Sequence, residues 1–202
     1  MTKVLIAFYS RNGSVETLAK AVAEGAEKAG AEVRLRRARE LVSEEIMRHV
    51  PGWLENAERM NALYEAPTAA DAEWADAIAL GTPTRFGSAT SELRAWIDGL
   101  GGLWFQGKLN GKAGTAFSST SSKHGGNETT ILSLYPTLAH LGLVIVPTGY
   151  ADPAMFAGGT PYGATHIAGQ DNTPPGEAEL AAARFQGERL ARVAGAIASL
   201  RA

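Results

Sequence analysis

The chain has 202 residues, 45% of them hydrophobic and 20% charged, with a formal net charge of -2 and no cysteine. That length suits one α/β domain whose core needs no disulfide or metal, and the balanced charge leaves no footprint for nucleic acid or an anionic membrane. Without cysteine, redox chemistry has to come from a cofactor; no apolar run reaches the ~20 residues of a membrane helix, and the strand-like start points to a cytoplasmic location.

Val4 to Tyr9 is continuously apolar, as expected of a central parallel strand covered on both faces. Val15, Leu18, Ala19, Val22, Ala23 and Ala26 then recur at helical spacing up to a stop at Gly30. In Glu32 to Arg36 only Val33 and Leu35 are apolar, an alternation that suits an edge strand. From about 37 to 71 the sequence predicts one or two loose amphipathic helices carrying Met47, Trp53, Leu54, Met60 and Leu63, broken at Pro51-Gly52. Ala77 to Leu80 is a third strand closed by Gly81-Thr82-Pro83, followed by a helix face of Leu93, Trp96, Ile97 and Leu100. Gly114 to Ser118 makes a fourth strand, Ile131, Tyr135, Leu138 and Leu141 a helix crossed by Pro136, and Leu143 to Val146 a fifth strand. Tyr150 to Gly176 is rich in Gly, Pro and Thr and exceeds the ~12–15 residues of an ordinary loop, so it reads as contact surface. A last helix sets Leu180, Ala183, Gly187, Leu190, Ala194 and Ile197 on one stripe. The expectation is a single α/β domain over residues 1–202, a doubly wound five-stranded parallel sheet of order 2-1-3-4-5.

Ligands of such sheets bind outside the carboxyl ends of the strands, where the strand order reverses. Three loops meet there. Ser10-Arg11-Asn12-Gly13-Ser14-Val15 is a hydroxyl-rich turn opening a helix, suited to a phosphate dianion, although Ser14 as a simple helix cap would explain it equally. Pro83-Thr84-Arg85-Phe86 joins a rigid turn, a guanidinium and an aromatic face suited to a flat heteroaromatic ring; the alternative makes Phe86 core and Arg85 a solvated charge. Ser119-Thr120-Ser121-Ser122-Lys123-His124-Gly125 adds hydroxyls and backbone donors, or is a plain serine-rich turn. Jointly the loops describe a pocket for flavin mononucleotide, with no protein nucleophile to act on it. A phosphoacceptor domain would need clustered acids where Tyr9-Ser10-Arg11 stands, no Gly-x-Ser-x-Gly elbow is present, and His49, His124, His140 and His166 lack metal-ligand spacing.

The chain resembles the WrbA-type NAD(P)H:quinone oxidoreductases, which are flavodoxin-like FMN proteins. The resemblance runs through Val4 to Val22, Gly81 to Gly87, Gly101-Gly102-Leu103-Trp104, Phe117 to Thr120, Thr137-Leu138-Ala139-His140, Val144 to Pro147 and Gly159 to Thr165. It implies two-electron reduction of quinones by NADH or NADPH through FMN, with Ser10 to Val15 on the phosphate, Pro83 to Phe86 around the ring, and Ser119 to Gly125 on the ring edge and ribityl chain. It further implies that His140 contacts the flavin, that Trp104, Phe86, Tyr150 and His140 line the substrate side, and that the protein is a homotetramer with active sites at subunit contacts. Asn12 stands where the family often has an aromatic implicated in nicotinamide contact, and the 119–126 loop is less glycine-rich and one residue longer. The neighbouring expectation is a flavodoxin-type one-electron carrier without a quinone substrate.

Overall fold

The computed structural model describes residues 1–200. Strand β1 (Lys3–Phe8) pairs in parallel with β2 (Glu32–Arg37) on one side and β3 (Ala77–Pro83) on the other, and β3 pairs with β4 (Ala113–Thr120). The order is β2-β1-β3-β4-β5, as expected, with the reversal between β1 and β3. One correction concerns the far edge, where the sheet has six strands and not five. Beside β4 lie two short strands, β5 (Val144–Ile145) against Ala113-Gly114 and β6 (Thr165–Ile167) against Ser118 to Thr120. The chain leaves the sheet between them, and the stretch read as a loop supplies the second half of the edge. Three residues with no apolar run carry no strand signal of their own; pairing with β4 makes β6 a strand.

The continuous apolar run of β1 works on both faces. Val4, Ile6 and Phe8 join the layer made by α1 (Ser14–Lys28) and α9 (Glu177–Ala196), while Leu5, Ala7 and Tyr9 join the opposite layer, and all six are fully buried. Between α1 and α9 a Cβ on Gly25 would stand 1.8 Å from the Arg184 carbonyl oxygen, and one on Gly187 1.9 Å from that of Val22. Backbone meets backbone there, so the outer layer locks tightly onto the helix that opens at the site.

Residues 37–71 hold α2 (Glu44–Arg48), α3 (Trp53–Leu63) and the start of α4 (Ala69–Trp74). Their role becomes clear in space. Arg59 of α3 donates to both Glu16 oxygens at 3.1 and 2.6 Å, and the Tyr64 hydroxyl donates at 2.9 Å, so this segment is stitched to the first turns of α1. Fully buried Arg37 donates to the Ser10 carbonyl at 3.0 Å and pairs with Glu40, which anchors the end of β1. On the other layer run α5 (Ser91–Asp98), the short α6 (Gly101–Phe105) and α7 (Asn127–His140), which accommodates Pro136 within its length. Buried Lys112 closes the end of α4 by donating to the carbonyls of Ala72, Glu73 and Ala75 at 2.8, 2.7 and 2.6 Å. A one-turn helix, α8 (Ala154–Ala157), sits in the excursion between β5 and β6.

Candidate functional site

A crevice lies outside the carboxyl ends of β1, β3 and β4, where the strand order reverses. Its floor is the turn after β1. Gly13 adopts φ 97°, a left-handed conformation that lets the chain swing from strand to helix, and the Ser10 hydroxyl accepts from its N–H at 3.1 Å. No side chain caps α1: Ser14 is the first helical residue and not the cap. The simpler reading of this turn, a serine-capped helix, therefore does not hold. The first amides of the helix are left for an outside acceptor, and the helix dipole favours an anion there.

Two cations stand at this turn. The Arg11 guanidinium lies over the Trp53 ring at 3.8 Å from its centroid, with its Nε buried and without a hydrogen-bond partner. Burial, and then the nearby Arg85, pull the Arg11 pKa below its ordinary value. Arg85 spends one donor on the Thr84 carbonyl at 2.9 Å. Among the described residues neither guanidinium has a carboxylate within ion-pair distance. Partial desolvation without an internal counter-charge is costly. A bound anion would relieve it.

The β3 turn is held rigidly. Arg85 and Ser88 exchange backbone hydrogen bonds at 2.8 and 3.0 Å, and the Thr84 hydroxyl accepts from Gly87 N–H at 3.2 Å and lies 2.9 Å from the Thr130 hydroxyl of α7. Phe86 and Gly87 sit at φ 52° and 77°, a tight hairpin that throws the Phe86 ring fully into solvent. Pro83, Thr84 and Arg85 line the crevice; Phe86, expected against a ring and alternatively in the core, does neither within one copy of the chain. From β4, Ser119, Thr120 and Ser121 line the crevice. Ser122, Lys123 and Gly125 do not; Thr120 donates to the Ser122 carbonyl at 2.9 Å, folding that loop back on itself.

The wall that the sequence reading missed comes from the turn after β6. Ala168 and Asn172 face the crevice, and Asn12 donates to the Asn172 side-chain oxygen at 2.8 Å. Gly169 and the Asp171-Asn172 pair were the available signal, since both types suit turns. Trp104 and His140 share a separate groove of about 410 Å³ with Arg94 and Asp98. His140 ends α7, ten residues and so about 15 Å along the helix axis from Thr130, whose hydroxyl bonds the crevice residue Thr84. Tyr150 stacks on Phe156 at 4.9 Å, exposed, in the excursion after β5. One copy of the chain does not bring these three to the crevice.

The residues present fit a cofactor with a dianionic tail and carry no obvious proton-transfer group of their own. Burial, with the charges of Glu92 and Glu40, pushes the Tyr9 hydroxyl up to about 12, and it is sealed in the core. Among the described residues no three His, Cys, Asp or Glu side chains gather as metal ligands.

The sequence model of the family described as NADPH-dependent FMN reductase matches residues 3–154. The chain is 48% identical over 203 residues to an NAD(P)H dehydrogenase (quinone) of Methylocella silvestris, covering 96% of this chain and 98% of that one. It is 49% identical over 205 residues to an enzyme of the same name from Chromohalobacter salexigens, covering 98% and 100%. Among solved structures it is similar to a flavodoxin, WrbA-like protein from Agrobacterium tumefaciens, with a TM-score of 0.65, 25% identity, and coverage of 98% of this chain and 99% of that one.

Proposed function

The chain belongs to the NADPH-dependent FMN reductase family, and from that membership and the crevice we propose that it is an FMN-dependent NAD(P)H:quinone oxidoreductase. The observation that carries the reading is the uncapped start of α1 facing a crevice with two guanidiniums that, among the described residues, have no carboxylate within ion-pair distance. Bound FMN would supply the capacity to take up a hydride equivalent from one substrate and pass two electrons to another.

The chain's own residues bind, orient and polarise. The amides at the start of α1, from Ser14 on, and the Ser10 and Ser14 hydroxyls would hold the phosphate, with Gly13, its own N–H on the Ser10 hydroxyl, shaping the turn. Thr84, pinned between Gly87 and Thr130, fixes the turn that would lie beside the ring, and Ser119 to Ser121, which line the crevice, would hold the ring edge and ribityl chain. Arg85, lining the crevice, would set a positive charge beside the bound ring, which would favour two-electron over one-electron chemistry. Asn12 stands at the nucleotide side.

The remaining expected site residues fit a homotetramer in which Trp104, His140, Phe86 and Tyr150, three of them on exposed aromatic surface, reach the crevice of a neighbouring copy. We place the enzyme in the cytoplasm as one domain; among the described residues no helix is long and apolar enough to cross a membrane. The test is steady-state kinetics on the FMN-loaded protein with NADH or NADPH and a benzoquinone. Turnover with parallel reciprocal plots supports one slot used alternately, intersecting plots contradict the shared slot, and absence of quinone turnover returns the protein to the one-electron carrier reading.

A further inference from the structure

His166 is 3% exposed, and none of the functional readings uses it. Its Nδ1 lies 2.9 Å from both carboxylate oxygens of Glu179, and its Nε2 lies 2.7 Å from the Thr173 carbonyl. Both ring nitrogens therefore face acceptors. Glu179 on one side and the Thr173 carbonyl on the other hold the ring in one orientation. The backbone around the ring is equally committed: the His166 carbonyl accepts from Asn127 at 3.2 Å, and Glu179 also accepts from Gly176 N–H at 2.8 Å at the start of α9. His166 thus ties β6 to α7 through its carbonyl, and to α9 and the turn between β6 and α9 through its ring.

That turn is the crevice's fourth wall. It is closed once by Thr173 N–H on the Ala168 carbonyl at 2.8 Å and a second time by the His166 ring on the Thr173 carbonyl. Gly169 and Asn172 both take left-handed φ, 67° and 52°, so the turn follows a path that few residues adopt unaided. At its tip Asn172 receives the bond from Asn12 in the phosphate turn. Glu179, His166, the backbone of the 168–173 turn and Asn12 are thus linked in sequence by hydrogen bonds and the turn's own chain.

We propose that His166, clamped by Glu179, is a positioning residue that holds the 168–173 turn as a strap over the crevice, with Asn172 a further binding-site residue that retains the FMN phosphate end. The inference rests on the reading of the crevice as an FMN site. Losing a hydrogen bond that fixes a binding wall corresponds to roughly a tenfold loss of affinity. The experiment measures FMN affinity and dissociation rate, by recovery of flavin fluorescence, for the full chain and for His166→Gln, Asn172→Gly and the double variant. The expected result is faster FMN loss, about tenfold weaker binding for each single variant, and a double variant no worse than the weaker single, because both act through one strap. A merely structural role for His166 would lower thermal stability and leave that non-additivity absent. Additive effects, or His166→Gln holding FMN as tightly as the unaltered chain, overturn the proposal while leaving the FMN reading intact. Failure of the unaltered chain to bind FMN overturns both. If His166→Gln does not fold, Asn172→Gly decides: on an exposed turn whose φ suits glycine, it must by itself speed FMN release several-fold, and unchanged release refutes the strap.

Discussion

Replacing Glu16 by glutamine tests whether the 37–71 segment really braces the helix that opens at the site. Glu16 is 4% exposed and receives Arg59 at 2.6 Å, Tyr64 at 2.9 Å and Lys20 at 3.1 Å. Burial works to raise its pKa, but the hydrogen bonds from Arg59, Lys20 and Tyr64 outweigh it and draw the carboxyl down from 4.5 to about 2. Because the folded pKa is depressed, the contribution to stability is fully present above the unfolded value and fades as pH falls from about 4.5 towards 2. Each unit is worth about 1.4 kcal/mol, so the cluster contributes about 3 kcal/mol at pH 7 and about 1 kcal/mol at pH 3. Glutamine keeps the size and removes the charge, turning an amide N–H₂ or a weaker acceptor towards three donors. Urea unfolding of both proteins at pH 7 and pH 3 reads the difference directly. A gap of about 3 kcal/mol that shrinks by more than half at pH 3 is expected. A gap below about 0.5 kcal/mol at pH 7, or one that does not change with pH, would show that the cluster is a solvated surface pair of little consequence.

Other outcomes follow from single contacts. Lys112→Met strips three backbone carbonyls of one shared donor and should cost about 3 kcal/mol in urea unfolding, since a buried acceptor left unsatisfied carries its full desolvation penalty. Gly25→Ala puts a methyl where the Arg184 carbonyl stands, so α1 and α9 must part; a loss of about 3 kcal/mol is expected, seen as a melting point lower by about 6–12 °C. Ser10→Ala removes the acceptor that tethers Gly13 and should weaken FMN binding about fivefold in a fluorescence titration, with melting changed little.

Much of this molecule is legible before folding, for reasons that can be named. Val4 to Tyr9 reads as a central strand because both of its faces are buried and no polar residue interrupts it. Residues 10–15, 84–85 and 119–121 read as site because each follows a strand whose place in the order is set by crossover handedness. Thr165 to Ile167 did not read as a strand, since only β4 makes it one, and with it went Ala168 and Asn172, which reach the crevice by that pairing. Trp53 was legible as an apolar helix residue, but not as the platform for Arg11, because a cation over a ring 42 positions away is set by tertiary packing alone. The segment from 37 to 71 had no visible purpose until Arg59 and Tyr64 met Glu16. Phe86 invited assignment to a ring face by its type, whereas its left-handed φ beside Gly87 turns it outward.

The proposed function requires a phosphate held by the open start of α1, and titrating the flavin-free protein with FMN and with riboflavin, which lacks that phosphate, tests this in one measurement. FMN should bind with at least about a hundredfold advantage, the share expected when a dianion meets free amides and two guanidiniums outside any ion pair among the described residues. Equal affinity for the two flavins, or none for either, would contradict it.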